Sequence, residues 1–69
     1  MTANKNLLHL KYARVIAEFA KMAALPADKA MEIFYHSFVY REMRKGISDM
    51  HCRSDKYLAQ ELLNTMPKP

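Results

Sequence analysis

Within the stretch GISDMHCRSDKYLAQELL, residues 46–63, Asp49, His51, Cys52 and Asp55 stand inside seven positions, and Cys52 is the chain's single cysteine. A thiol beside an imidazole suggests nucleophilic attack, and a set of His, Cys and carboxylate suggests zinc. The spacing argues against both. His51 and Cys52 are adjacent, and neighbours in an extended segment point to opposite faces, which keeps the ring from the sulfur. Zinc sites draw three or four ligands from spacings such as CxxC or HxxxH, whereas His9 and His36 stand alone. No metal, cofactor or catalytic residue is therefore expected. A shaped turn fits better: Asp49 and Ser48 can accept hydrogen bonds from nearby backbone amides, and His51 can bridge to a backbone carbonyl or to Asp49. Met50 and Cys52 are then expected to pack inward as adaptable apolar groups. The competing use of the segment is as a surface for a partner.

The elements that must position this turn are helical. Leu8, Tyr12, Val15, Ile16, Phe19, Met22 and Ala23 recur at spacings of three and four, with Lys11, Arg14, Glu18 and Lys21 on the other side, so the pattern predicts an amphipathic helix over about 6–24. Arg14 and Glu18, four apart, are expected to pair weakly. Leu25 and Pro26 interrupt the pattern, because a residue before proline avoids helical dihedrals while proline itself suits a first turn. A second helix is expected from there, with Asp28 in its first turn and Ala30, Met31, Ile33, Phe34 and Phe38 as its apolar stripe.

The run IFYHSFVY alone would suit a strand as well, but its flanks DKAME and REMRK are helix formers. Ser37 could cap a separate third helix over 38–45, or the second helix could run through. Gly46, the only glycine, follows MRK and reads as a left-handed helix end with cations in the last turn. Ser54 opens a final helix as its N-cap, with Asp55 in the first turn and Tyr57, Leu58, Leu62 and Leu63 as the buried side. NTMPKP carries two prolines and no pattern, so 65–69 reads as a tail. The expectation is one small all-α domain, compact, of three to four helices, ordered over about 6–64.

Composition bounds the rest. A chain of 69 residues buries only about 60% of the surface its unfolded form exposes, so a homodimer or another partner is a common way to complete its core. One cysteine excludes an internal disulfide and suits a reducing compartment. No run approaches the roughly 18 to 20 apolar residues that span a bilayer, and the first residues lack a secretory pattern, so a cytoplasmic protein away from membranes is expected. The net charge of +4 is scattered, with Arg41, Arg44, Lys45, Arg53 and Lys56 the nearest thing to a patch; cations at a helix C-terminus account for much of it. Tyr35, Phe38, Tyr40 and Tyr57 are expected in the core, because base-stacking platforms usually sit on sheets. The six methionines suit an adaptable core or a re-packable binding groove equally.

Phe34, Tyr35 and Ser37 form an FYxS motif. Gly46 to His51, Ser54, Asp55, Tyr57 to Ala59, Glu61 and Leu62 form GISDMHxxSDxYLAxEL. On these motifs, over about residues 12–63, the chain resembles a family of short bacterial proteins of uncharacterised function that look all-helical. Pro26 departs from the family, where a Ser or Thr cap would be expected. Genes of that family often stand beside one encoding an ADP-ribosyltransferase-like domain. The resemblance implies a toxin and antitoxin pair or a similar two-part system, with this chain as the small non-catalytic partner.

The favoured function is thus a protein-binding module, antitoxin-like or accessory to an ADP-ribosyltransferase-like protein. Its partner surface is expected to include Tyr35, Arg41, Asp49, His51, Arg53, Asp55 and Tyr57, with Ser37, Gly46, Ser48 and Ser54 as caps and turn formers. A DNA-binding autoregulator acting as a dimer is the alternative, since a compact helical set at +4 could place one helix in a major groove. An enzyme is the weakest reading, for want of an acid, base and nucleophile set.

Overall fold

A computed structural model describes residues 5–46 and 52–66. Four helices follow in order: α1 over Lys5–Ala23, α2 over Ala27–Tyr35, α3 over Phe38–Lys45 and α4 over Asp55–Thr65, with no strand among the described residues. The fold class is all-α, as the periodicity predicts. Helix α1 packs on α4 most extensively and on α2 next, while α3 packs on α2 and α4.

Local chemistry sets the helix ends. Ala24 takes φ 55, so α1 closes with a residue in the left-handed region. The amide of Ala24 donates to the Lys21 carbonyl at 3.4 Å and that of Leu25 to the Ala20 carbonyl at 3.0 Å, which satisfies carbonyls the helix would leave open. Pro26 then stands as the N-cap of α2 rather than inside its first turn, in extended backbone and without a side-chain cap. Its carbonyl still accepts from the amide of Ala30, at 3.0 Å.

The IFYHSFVY run breaks at a two-residue corner. His36 ends α2 and its Nδ1 donates to the Glu32 carbonyl at 2.9 Å. Ser37, in extended backbone, caps α3: its Oγ accepts from the Tyr40 amide at 3.1 Å and donates to the Phe34 carbonyl. One hydroxyl therefore satisfies a starting amide of α3 and a terminal carbonyl of α2. Gly46 ends α3 at φ 69 with Arg44 and Lys45 in the last turn, and Ser54 caps α4 by accepting from the Tyr57 amide at 3.0 Å.

The core gathers Tyr12, Val15, Ile16 and Phe19 of α1, Ala30 and Phe34 of α2, Val39 and Met43 of α3, and Leu58, Ala59 and Leu62 of α4. Each helix contributes one stripe at spacings of three and four, and the small Ala30 and Ala59 let their helices approach closely. Several residues expected in these stripes lie outside them. Met22, Met31, Phe38 and Tyr57 are exposed, and Tyr35 is 43% exposed where a core position was expected. The cause is geometric: α2, α3 and α4 have 9, 8 and 11 residues and bury only two or three positions each, so the flanks of their apolar sides stay open. Cys52 is exposed rather than packed inward, on the short turn that precedes Ser54.

Candidate functional site

Among the described residues expected to face a partner, Asp55 is held by ion pairs within the chain. Lys11 Nζ donates to its carboxylate at 2.6 Å and Arg14 Nε at 3.1 Å, which clamps the first turn of α4 to α1. The hydrogen bond from Lys11, with the charges of Lys11 and Arg14 behind it, holds the Asp55 carboxyl below the usual carboxylate range despite partial burial. Arg14 is thereby drawn to Asp55 instead of the expected Glu18, and Glu18 pairs with Lys21 at 3.3 Å.

A second cluster is aromatic. Buried Tyr12 and Phe34 meet Tyr40 at 5.3 and 5.5 Å between ring centroids, and Tyr35 stands edge-on to Tyr40 at 4.8 Å. Offset and edge-on pairs of this kind stabilise beyond the area they bury. Burial, then the neighbouring Tyr40 and Tyr35 hydroxyls, push the Tyr12 phenol above its ordinary range, so it stays protonated near neutrality. The cluster runs from the core to the surface at Tyr35, and Arg44 lies over the Tyr40 ring at 5.8 Å. Separately, Arg53 lies over the Tyr57 ring at 5.5 Å. Both contacts place a cation on a ring face.

Of the seven expected partner residues, Tyr35, Arg41, Arg53 and Tyr57 are exposed. Among the described residues, ring and cation contacts join Tyr35 to the Tyr40 and Arg44 group and Arg53 to Tyr57, with none between the two groups. Asp49 and His51, with Ser48 of the expected turn, lie outside the described residues. Exposed Cys52 belongs to no group of three or more metal-ligating side chains among the described residues.

A feature that the pattern reading missed is a groove of about 430 Å³ where the α2–α3 corner meets the end of α4. Ile33, Phe38, Leu62 and Met66 make it apolar, and Glu32, His36, Ser37 and Thr65 stand around them. Leu62 is buried at its base while Phe38 is 47% exposed. The Ser37 hydroxyl is committed to both helix ends, and one His36 nitrogen to the Glu32 carbonyl. The groove offers apolar burial between the α2–α3 corner and the end of α4. The available signal was the density of large apolar residues in IFYHSF, which exceeds what two short helices can bury against one neighbour.

No protein-family model, curated protein or solved structure matches the chain.

Proposed function

We propose that this chain is a non-catalytic protein-binding module. The observation that carries the reading is the open apolar surface: Phe38 beside its groove, Tyr35 and Tyr57 at 43% and 44% exposure, and Met31 half open, on a chain of only 69 residues. Aromatic side chains with nearby arginines are the groups most enriched in protein interfaces, and here Arg44 and Arg53 already lie on tyrosine faces. The interface on this reading takes Tyr35, Arg41, Arg53 and Tyr57, with Asp49 and His51, which lie outside the described residues. Asp55 serves it indirectly, by fixing the start of α4. The likeness of the FYxS and GISDMHxxSDxYLAxEL motifs points to an ADP-ribosyltransferase-like protein as the partner, with this chain in the antitoxin-like or accessory role.

Capture with the tagged chain from nuclease-treated lysate of its native host, in moderate salt, tests this. A stoichiometric ADP-ribosyltransferase-like protein is expected, and recovery of the chain alone would contradict the reading. A second reading, the dimeric DNA-binding autoregulator, is favoured by Arg41, Arg44 and Lys45, all exposed on α3. It requires DNA affinity that falls steeply with salt and two copies spaced to match the groove repeat. Weak, salt-indifferent DNA binding by a monomer would remove it.

A further inference from the structure

We infer that the groove between the α2–α3 corner and the end of α4 seats an acidic amphipathic helix of the partner, an inference that rests on the protein-binding reading above. The walls supply the first argument. They are helices, and no strand edge exists among the described residues, so an extended peptide finds no ladder to join. A partner helix can instead lay apolar residues at i, i+3, i+4 and i+7 against Ile33, Phe38, Leu62 and Met66. It would cover the side of Phe38 that the chain leaves open.

Charge supplies the second. Phe38, Arg41 and Lys45 recur at spacings of three and four residues on the side of α3 away from buried Val39 and Met43, so the ridge that begins at the groove continues as two cations. Lys11, Arg14 and Lys21 are ion-paired within the chain, whereas Arg41 and Lys45 have no ion pair among the described residues. Asp or Glu side chains following the partner's apolar anchors would meet them. Glu32, on the other lip, suits the N-terminal end of that helix, where the dipole is positive. A second copy is the poorer occupant, because it brings another +4 to a surface that already carries unpaired cations. Nucleic acid satisfies the cations and can stack a base on Phe38, but it brings no ridge of aliphatic side chains to fill a groove that also holds Ile33, Leu62 and Met66.

The test uses the full 69-residue chain, ¹⁵N-labelled, and three synthetic helix-forming peptides. One has Leu at i, i+3, i+4 and i+7 with Glu elsewhere, one has the same leucines with Lys in place of Glu, and one has Glu with the leucines changed to Ala. The acidic leucine peptide is expected to shift the amides of Ile33, Phe38, Leu62 and Met66. It should bind about tenfold more tightly than the Lys peptide, the sum of two exposed ion pairs, with the margin shrinking as salt rises. The double variant Arg41→Glu, Lys45→Glu, at exposed positions and with its helicity checked by circular dichroism, is expected to reverse the preference. Phe38→Ser is expected to abolish binding by either leucine peptide. Equal binding of the acidic and basic peptides, or shifts confined to other faces, would overturn the inference. So would concentration-dependent shifts of the groove amides without peptide, which would make a second copy the occupant. Loss of all peptide binding while the native partner is still captured would overturn the helix inference and leave the module reading standing.

Discussion

The two ends at which α4 meets the rest of the molecule are built on opposite terms. At its start, the Asp55 carboxylate accepts from Lys11 and Arg14 of α1, one bond to each oxygen, and ties the helix beside the exposed Arg53 and Tyr57. At its end, Leu62 and Met66 join Ile33 and Phe38 around an open groove, so apolar surface that a larger domain would cover remains in water. The contrast separates what holds the fold from what the fold presents. Leu58, Ala59 and Leu62 in the core and the ion pairs at Asp55 fix where α4 lies, and incomplete apolar closure at its end leaves a face for something else.

Breaking this contrast starts in the core. Phe34→Ala removes a buried ring that packs on Tyr12, Tyr35 and Tyr40, and should cost about 3 to 5 kcal/mol, enough to unfold so small a chain. Phe38→Ser, four residues on but half exposed, should change stability by no more than about 0.5 kcal/mol. Thermal unfolding followed by circular dichroism compares the two directly. Similar losses in both would show that Phe38 belongs to the core.

Smaller effects belong to the caps. Ser37→Ala should cost about 1 to 2 kcal/mol and Ser54→Ala about 1, because only the Ser37 hydroxyl serves two helix ends. Urea unfolding of both variants, at unchanged m-value, measures the difference. An equal cost would mean that the bond to the Phe34 carbonyl adds nothing.

Asp55→Asn should cost about 1 kcal/mol at neutral pH, as it discharges a partly exposed two-cation site. Its pH dependence carries a sign. The folded carboxyl titrates below its unfolded value, so the unfolded chain binds the proton more readily. The stabilisation is complete above the ordinary Asp range and is lost as pH falls below about 4 towards the folded pKa. Wild type and Asp55→Asn should therefore converge in stability in that acid window. A difference that stays constant with pH would remove the ion pairs from the account.

The smallest expected change is a gain. Ala24 holds φ 55, a conformation glycine adopts without penalty, and Ala24→Gly should stabilise by about 0.5 to 1 kcal/mol. A higher melting temperature with the groove amides unshifted would place the strain at the end of α1 alone. A lower one would mean that the backbone there is set by packing of Leu25.

These same residues mark how far the sequence was legible. The ends at Ser37, Gly46 and Ser54 could be read in advance, since capping depends on one residue and its next three neighbours. Tyr12, Val15, Ile16 and Phe19 could be read too, because a 19-residue helix repeats its stripe often enough to define a face. The end of α1 carried no glycine to announce the left-handed Ala24. Asp55 and its cations lie 44 and 41 residues apart in the chain, beyond any local pattern, so Arg14 was assigned to the nearer Glu18. Phe38 and Tyr57 read as core because they lie next to core positions, and only the angle at the His36–Ser37 corner and the packing of α4 decide which flank stays wet. For the candidate site, exposure at Tyr35, Arg41, Arg53 and Tyr57 is now described, whereas the groove depended on residues from three helices coming together.

The most direct measurement pairs capture with stability on two variants. Phe38→Ser and Asp55→Asn, each tagged and folded, are compared with wild type for retention of the native partner and for melting temperature. The account predicts a crossed result: Phe38→Ser melts like wild type and loses the partner, while Asp55→Asn melts lower and keeps it. Retention of the partner by Phe38→Ser would show that the groove takes no part in binding and contradict the account.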